Sequence, residues 1–299
     1  MKIMVLDNYG SFSLVSYLKE GLPEHEIVTM GNVHTDPMWK IFERVNPDIV
    51  FVDFCDDNAV HLTKRLRGWQ KGDRPRVVIR LHGFEAQSWY LDEIDWGLVS
   101  HLIVVSPKFR EIVEPKIKGV SVKVVYNGVD LSRFQLQDPE GMDENQVAYV
   151  GYINKKKGPT LLRTVMASWP EKQFHVGGIH QDAQVQLYMN GVQLENVTYY
   201  GWVRTADFLI GKKYIISTSV TESFGMSIAE GMAMGLTPLV HEWPGADLLW
   251  PKGCIWRTFE DLKAIEPKDP EWCREWVSSR YSMKRCVDSV VDLLLGGGG

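Results

Sequence analysis

The chain has 299 residues, 44% of them hydrophobic, and 38 acidic against 33 basic side chains give a formal charge of −5. That length suits two domains of roughly 150 residues with real cores, and the charge gives no global bias toward nucleic acid or an anionic membrane. Cys55, Cys254, Cys273 and Cys286 lack CxxC or metal-ligand spacing, which reads as reduced thiols in a cytoplasmic protein without structural zinc. Met1–Asp7 is too short an apolar run for a signal peptide, no stretch approaches a membrane-spanning length, and Gly296–Gly299 reads as a flexible tail.

In the first half, apolar runs recur at Ile3–Leu6, Glu26–Met30, Asp48–Val52, Val77–Leu81, Leu102–Val105 and Val122–Tyr126. They are β-branched and continuous, as buried parallel strands are, and their alternation with helical segments predicts a doubly wound α/β sheet. Ligands of such sheets bind beyond the carboxyl ends of the strands. The loop Asp7–Ser13 carries one glycine, Gly10, and lacks GxGxxG, so it reads as a turn or a phosphate- or acceptor-side loop rather than a dinucleotide site. The loop Asp53-Phe54-Cys55-Asp56-Asp57-Asn58 looks acidic enough for a metal, but Asp56-Asp57 ahead of Asn58–Leu62 fits a helix N-cap better. His82-Gly83 directly follows a strand, which is where an open sheet presents functional groups.

Asn127-Gly128-Val129-Asp130 reads as a turn, and the polar stretch Gln135–Gln146, with Pro139 and Gly141, as a linker. A second strand series follows at Val147–Val150, Gln173–Val176, Val197–Tyr200, Tyr214–Ser217, Thr237–Val240 and Cys254–Trp256, so a ligand cleft is expected between two domains. Gly151–Gly158 joins strand to helix and carries Lys155, Lys156 and Lys157. Gly177-Gly178 and Gly201-Trp202-Val203 fall at strand ends, and His241–Asp247 follows the last long strand. Pro270–Leu295 has helical spacing. Between Tyr214–Val220 and Gly235 lies the most informative stretch. Gly225 allows a tight turn, Met226–Met234 forms about two helical turns, and Glu222 and Glu230 bracket free helix-start N–H groups suited to a phosphate. Ser227 and Glu230 also have capping-box spacing.

Glu222, seven residues and Glu230, with Ser223-Phe224-Gly225 after the first glutamate and Gly231–Gly235 after the second, resemble the donor-site signature of retaining glycosyltransferases of family 4, the glycosyl transferases group 1. His82-Gly83, Asn127–Asp130 with Phe134, and Gly151–Gly158 match in the same order, so the resemblance covers most of the chain from about residue 75 onward. It implies a GT-B fold of two doubly wound Rossmann-like domains facing a cleft. Residues 1–142 would form the acceptor side, 143–275 the donor domain, and 276–299 a helix packing back on the first domain plus the tail.

By the same resemblance, His82, Glu222 and Lys157 are the catalytic candidates. Gly10, Lys155, Gly177, Gly178, Val203, Ser223, Phe224, Gly225, Met226 and Glu230 are the donor-binding ones. Lys157 and the N–H groups near Gly225 would hold the diphosphate in place of a metal, Glu230 the ribose hydroxyls, and Glu222 and His82 the sugar. Tyr152 stands where the family usually has an arginine, and Lys155 is the candidate for the missing charge. The expected reaction is metal-independent, cofactor-free transfer with retention from a UDP- or GDP-sugar to a hydroxyl on a glycan, lipid or small molecule, with no nucleic-acid partner. The alternatives are a nucleotide-sugar-binding protein without transfer, and another GT-B chemistry such as epimerisation.

Overall fold

The computed structural model describes residues 1–9, 13–191 and 193–296, so Gly10 lies outside the described residues. In chain order the first elements are β1 (Lys2–Leu6), α1 (Ser13–Gly21), β2 (Glu26–Met30), α2 (Asp36–Val45), β3 (Ile49–Val52), α3 (Asp57–Leu66), β4 (Arg76–Leu81), α4 (Tyr90–Glu93), β5 (His101–Val104), α5 (Pro107–Val113) and β6 (Ser121–Val124). There follow β7 (Asp143–Val150), α6 (Pro159–Ser168), β8 (Gln173–Gly177), α7 (Ala183–Asn190), β9 (Val197–Gly201), α8 (Thr205–Leu209), β10 (Lys212–Ser217), α9 (Met226–Ala233), β11 (Thr237–His241), β12 (Ile255–Trp256), α10 (Phe259–Lys263), α11 (Pro270–Tyr281) and α12 (Met283–Leu295). Each of the twelve apolar runs expected as a strand is one, and all pair in parallel.

The chain divides into two compact units, Met1–Gly128 with Met283–Gly299, and Val129–Ser282. In the first, the strand order is β2-β1-β3-β4-β5-β6. β1, β3 and β4 are buried on both faces, as helices on either side of the sheet require. One face packs α2, α3 and α5 through Phe42, Leu62 and Val113. The other packs α1 through Leu14 and Leu18 and α12 through Val287, Val290 and Leu294. The winding reverses between β1 and β3, so the crevice for a ligand opens beyond their carboxyl ends.

In the second unit the order is β12-β11-β10-β7-β8-β9, which puts the reversal between β7 and β10. The segment read as a linker is tied to this unit. Arg274 on α11 donates to the carbonyls of Phe134 (2.7 Å), Ala233 (2.6 Å) and Leu131 (3.1 Å), and Gln137 bonds Leu209 and Gly211. The run expected as one C-terminal helix is two: Ser282 leaves helical backbone with ψ 147° and forms a bridge with Val129, whose N–H bonds the Tyr281 carbonyl at 2.7 Å. All four cysteines are free and buried.

Candidate functional site

The reversal in the second unit brings together the loop after β7 and the loop after β10. Asn154 accepts from the Lys157 N–H at 3.2 Å and caps a short 3-10 turn over Lys155–Lys157. Gly158 follows at φ 63°, where a Cβ would collide with the Thr218 carbonyl. The loop is then sewn to the strand end opposite, since the Thr218 hydroxyl donates to the Lys157 carbonyl at 2.9 Å and the Val220 N–H to that of Lys156 at 2.9 Å. This stitching holds the Lys157 ammonium on the Glu222 carboxylate, an ion pair whose side chains are 28% and 15% exposed. The other carboxylate oxygen of Glu222 accepts from the Ser223 N–H at 2.9 Å.

Just past this pair, Gly225 adopts φ 95° and opens α9, whose first turn carries no side-chain cap. The capping-box spacing of Ser227 and Glu230 is therefore not used: the helix begins one residue ahead of Ser227. Uncapped helix-start N–H groups beside a lysine make a local positive field. The Phe224 ring is buried against Tyr281 (4.9 Å) and Trp250 (5.8 Å), so its side chain is not available to a ligand. Ser223 and Met226 are half-buried beside it. Glu230 lies in the second turn of α9, half-buried; burial pushes its carboxyl up to about 7, while the Arg133 charge pulls the other way.

Gly177, Gly178 and Val203 gather at the carboxyl ends of β8 and β9. The Gly178 N–H donates to the Gly201 carbonyl at 2.6 Å, and the Gly151 N–H to that of Gly177 at 3.0 Å. A Cβ on Gly177 would lie 2.6 Å from Val203 Cγ2, and one on Gly178 would overlap the Gly151 carbonyl. These glycines are thus required first by the protein's own packing. Lys155 is exposed and lines a 560 Å³ groove with Pro159, Thr160, Tyr188 and Val220, apart from the Lys157–Glu222 pair. Tyr152 is 53% exposed, and the Tyr149 hydroxyl donates to its carbonyl. His241 turns Nδ1 to the Ser219 carbonyl at 3.0 Å and packs on Trp256, which braces the same loop.

In the first unit His82 follows β4. Its Nε2 lies 3.0 Å from the Asp53 carbonyl and 3.3 Å from Asp53 Oδ1, and its ring stacks on Phe54 at 4.3 Å. Both partners are acceptors, so Nε2 carries a proton and donates to them. Asp53 also receives Arg80 Nη1 at 3.1 Å, and Arg80 Nη2 reaches Asn127 Oδ1 at 2.6 Å. Burial pushes the Asp53 carboxyl up, but Arg80 and the His82 contact outweigh it and hold it below the usual range. Asp56 caps α3 through the Asn58 N–H, as its helix-start reading anticipates, and among the described residues no cluster of His, Cys, Asp and Glu could hold a metal. Sequence reasoning passed over Asp53 and Arg80 as a pair. The signal was a charge inside the apolar run Val77–Leu81, which a buried strand tolerates only with a partner.

Two parallel six-stranded α/β units, with glycine loops and charged side chains at the carboxyl ends of their strands, define the GT-B class. Residues 132–247 match the model described as Glycosyl transferases group 1, and residues 23–133 that described as Glycosyltransferase Family 4. The chain belongs to this glycosyltransferase family, with the GT-B fold.

An uncharacterized 41.2 kDa protein in the cps region of Klebsiella pneumoniae is 26% identical over 212 residues, covering 62% of this chain and 58% of that relative. Among solved structures, Anabaena HepE in complex with UDP and glucose superposes with a TM-score of 0.75 at 16% identity, covering 99% of this chain and 100% of that one. Sucrose-phosphate synthase from Thermosynechococcus elongatus gives 0.76 at 16% identity, covering 99% and 98%. The lipopolysaccharide outer core galactosyltransferase WaaB gives 0.71 at 15%, covering 99% and 100%. No helix among the described residues is long and apolar enough to cross a membrane.

Proposed function

We propose that the chain moves a sugar from a nucleotide-diphosphate donor, a UDP- or GDP-sugar, to a hydroxyl acceptor, with retention and without a metal or other cofactor. The observation that carries this reading is the Lys157–Glu222 pair at the start of α9. An incoming diphosphate takes over the ammonium, and the helix-start N–H groups add fixed positive potential where negative charge grows as the glycosidic bond breaks. Glu222, released from Lys157, faces the positive charge developing on the sugar. Glu230 accepts from the ribose hydroxyls, and the backbone at Gly177, Gly178 and Val203 bounds the nucleotide. His82 contacts the sugar. No covalent nucleophile is invoked: the departing phosphate takes the acceptor's proton on the face it leaves, which retains the configuration. UDP in the HepE complex supports the donor class.

The test is titration calorimetry with UDP, GDP, ADP and dTDP. One nucleotide should bind, and Lys157→Ala should weaken it about 10- to 100-fold, as the loss of a charge-assisted contact requires. Proton NMR of the product should show the donor's anomeric configuration, and EDTA should leave the rate unchanged. Absence of nucleotide binding, or an inverted product, would sink the reading. A second reading, donor binding without transfer, is favoured by the exposed Tyr152 where the family's arginine is expected. Binding with no nucleotide released across an acceptor panel would select it.

A further inference from the structure

Beside the strand-order reversal of the first unit, four rings from three strand ends form one surface. Tyr9 follows β1, Phe54 follows β3, and His82 and Phe84 follow β4. Tyr9 and Phe54 lie 4.4 Å apart, Phe54 faces Phe84 at 6.4 Å and 28°, and Tyr9 meets Phe84 edge-on at 6.1 Å. Tyr9 is 57% and Phe84 45% exposed, so the rings are open to solvent at the place where this fold receives ligands.

Acids surround them. Burial raises the Tyr9 hydroxyl first, and the charges of Asp56, Glu85 and Asp57 raise it further; of these acids Asp56 and Glu85 are themselves buried. Asn8 Nδ2 reaches Asp56 at 3.2 Å, and Glu85 takes the Gly83 N–H at 2.8 Å. Of the nearby cations, Arg80 is 4% exposed and engaged by Asp53 and Asn127, and the Lys116 ammonium donates to the Ala86 carbonyl at 2.8 Å.

We infer that this platform is an acceptor subsite for an uncharged sugar ring, so that the acceptor is a neutral glycan or glycoside rather than a phosphate- or uronate-bearing one. The word acceptor rests on the transferase reading above; the site itself rests on the first unit alone. The C–H face of a pyranose carries slightly positive hydrogens and stacks on electron-rich ring faces. Its hydroxyls donate to carboxylates such as Asp57 and accept from Asn8. An anionic acceptor would meet a field of like charge with its one neighbouring guanidinium already neutralised.

Saturation-transfer NMR tests this with methyl glucoside, methyl galactoside, methyl rhamnoside and maltose against glucose 6-phosphate and methyl glucuronide, with UDP titrated in parallel. At least one neutral probe should show saturation of its ring C–H protons. Tyr9→Ala and Phe84→Ala should each weaken it roughly three- to tenfold, while Tyr9→Phe keeps it. Tyr9→Leu and Phe84→Leu keep apolar bulk for the fold and should show the same loss. UDP affinity should stay unchanged in every variant. Neutral probes that fail to bind a UDP-competent protein, phosphate or uronate probes that bind more tightly, or ring-deleting variants without effect would overturn the inference. Absence of binding of UDP, GDP, ADP and dTDP alike by the wild type would remove the transferase reading and leave the sugar-binding result to decide the platform.

Discussion

Replacing Glu230 with glutamine should make the ligand-free protein more stable at high pH and a poorer nucleotide binder at the same time. Burial raises the carboxyl from 4.5 to about 7, so the folded state holds the proton more tightly than the unfolded chain. The resulting stabilisation is complete below the unfolded value, is lost as pH rises through about 7, and is flat beyond. Two and a half decades of proton affinity correspond to about 3 kcal/mol, which solvent at a half-buried group reduces to about 1–2 kcal/mol. Glu230→Gln removes the charge and keeps the shape. Relative to the wild type, it should therefore gain about 1–2 kcal/mol between pH 5 and pH 8, or ~3–6 °C in the melting of a unit of this size. Ribose hydroxyls donate to the ionised form, so nucleotide affinity of the wild type should rise from pH 5.5 to 7.5 and then level, and the variant should lose about 10- to 100-fold at pH 8. Thermal melts at three pH values, with calorimetry at the same values, read both effects. A melting difference between variant and wild type that does not change with pH would refute the burial argument. Unchanged affinity would refute the role at the ribose.

Three further outcomes follow from the geometry. Gly178→Ala and Gly158→Ala should each cost about 2–4 kcal/mol in urea unfolding, because the new methyl meets a backbone carbonyl that cannot yield, whereas Gly141→Ala, with nothing within 4 Å, should be near neutral. Asp53→Asn leaves Arg80 buried without its counter-charge and should cost about 3–5 kcal/mol at neutral pH. Because the Asp53 carboxyl is held low, its contribution is present above the unfolded value and lost as pH falls through the folded one, so the deficit should shrink below about pH 4 in acid melts. Arg274→Met removes three donors from carbonyls at Leu131, Phe134 and Ala233 and should cost roughly 1–3 kcal/mol, read as earlier proteolysis within residues 131–146.

The strands were legible because each apolar run is local and uninterrupted, and the pattern of Val50-Phe51-Val52 or Ile215-Ile216 has no other comfortable home than a sheet covered on both faces. What joined distant positions was not legible. The polar stretch 135–146 looks like a linker from its own composition, yet an arginine 140 residues away from Phe134 anchors its start, and the compact units meet the chain at Gly128–Val129 and Ser282–Met283 rather than at 142–143 and 275–276. The break at Ser282 has the same origin: nothing in Pro270–Leu295 announces it, because its cause is the bridge to Val129.

The site divides along the same line. Glu222 and Glu230 can be paired by counting, since one short helix carries the relation. Lys157 and Glu222, 65 residues apart, meet because the strand order reverses between β7 and β10 and the β7 loop is bonded to the end of β10. Lys155 has the same charge and nearly the same position in sequence, but the cap formed by Asn154 turns it outward to the groove along α6. A residue type at the right spacing therefore identifies a charge that could serve; the backbone bonds that aim it decide whether it does. Gly177 and Gly178 make the converse point. Their lack of a side chain suggests room for a ligand, and the structure fills that room with Val203 and the Gly151 carbonyl, so any nucleotide here must be recognised by the backbone edge these contacts leave in place.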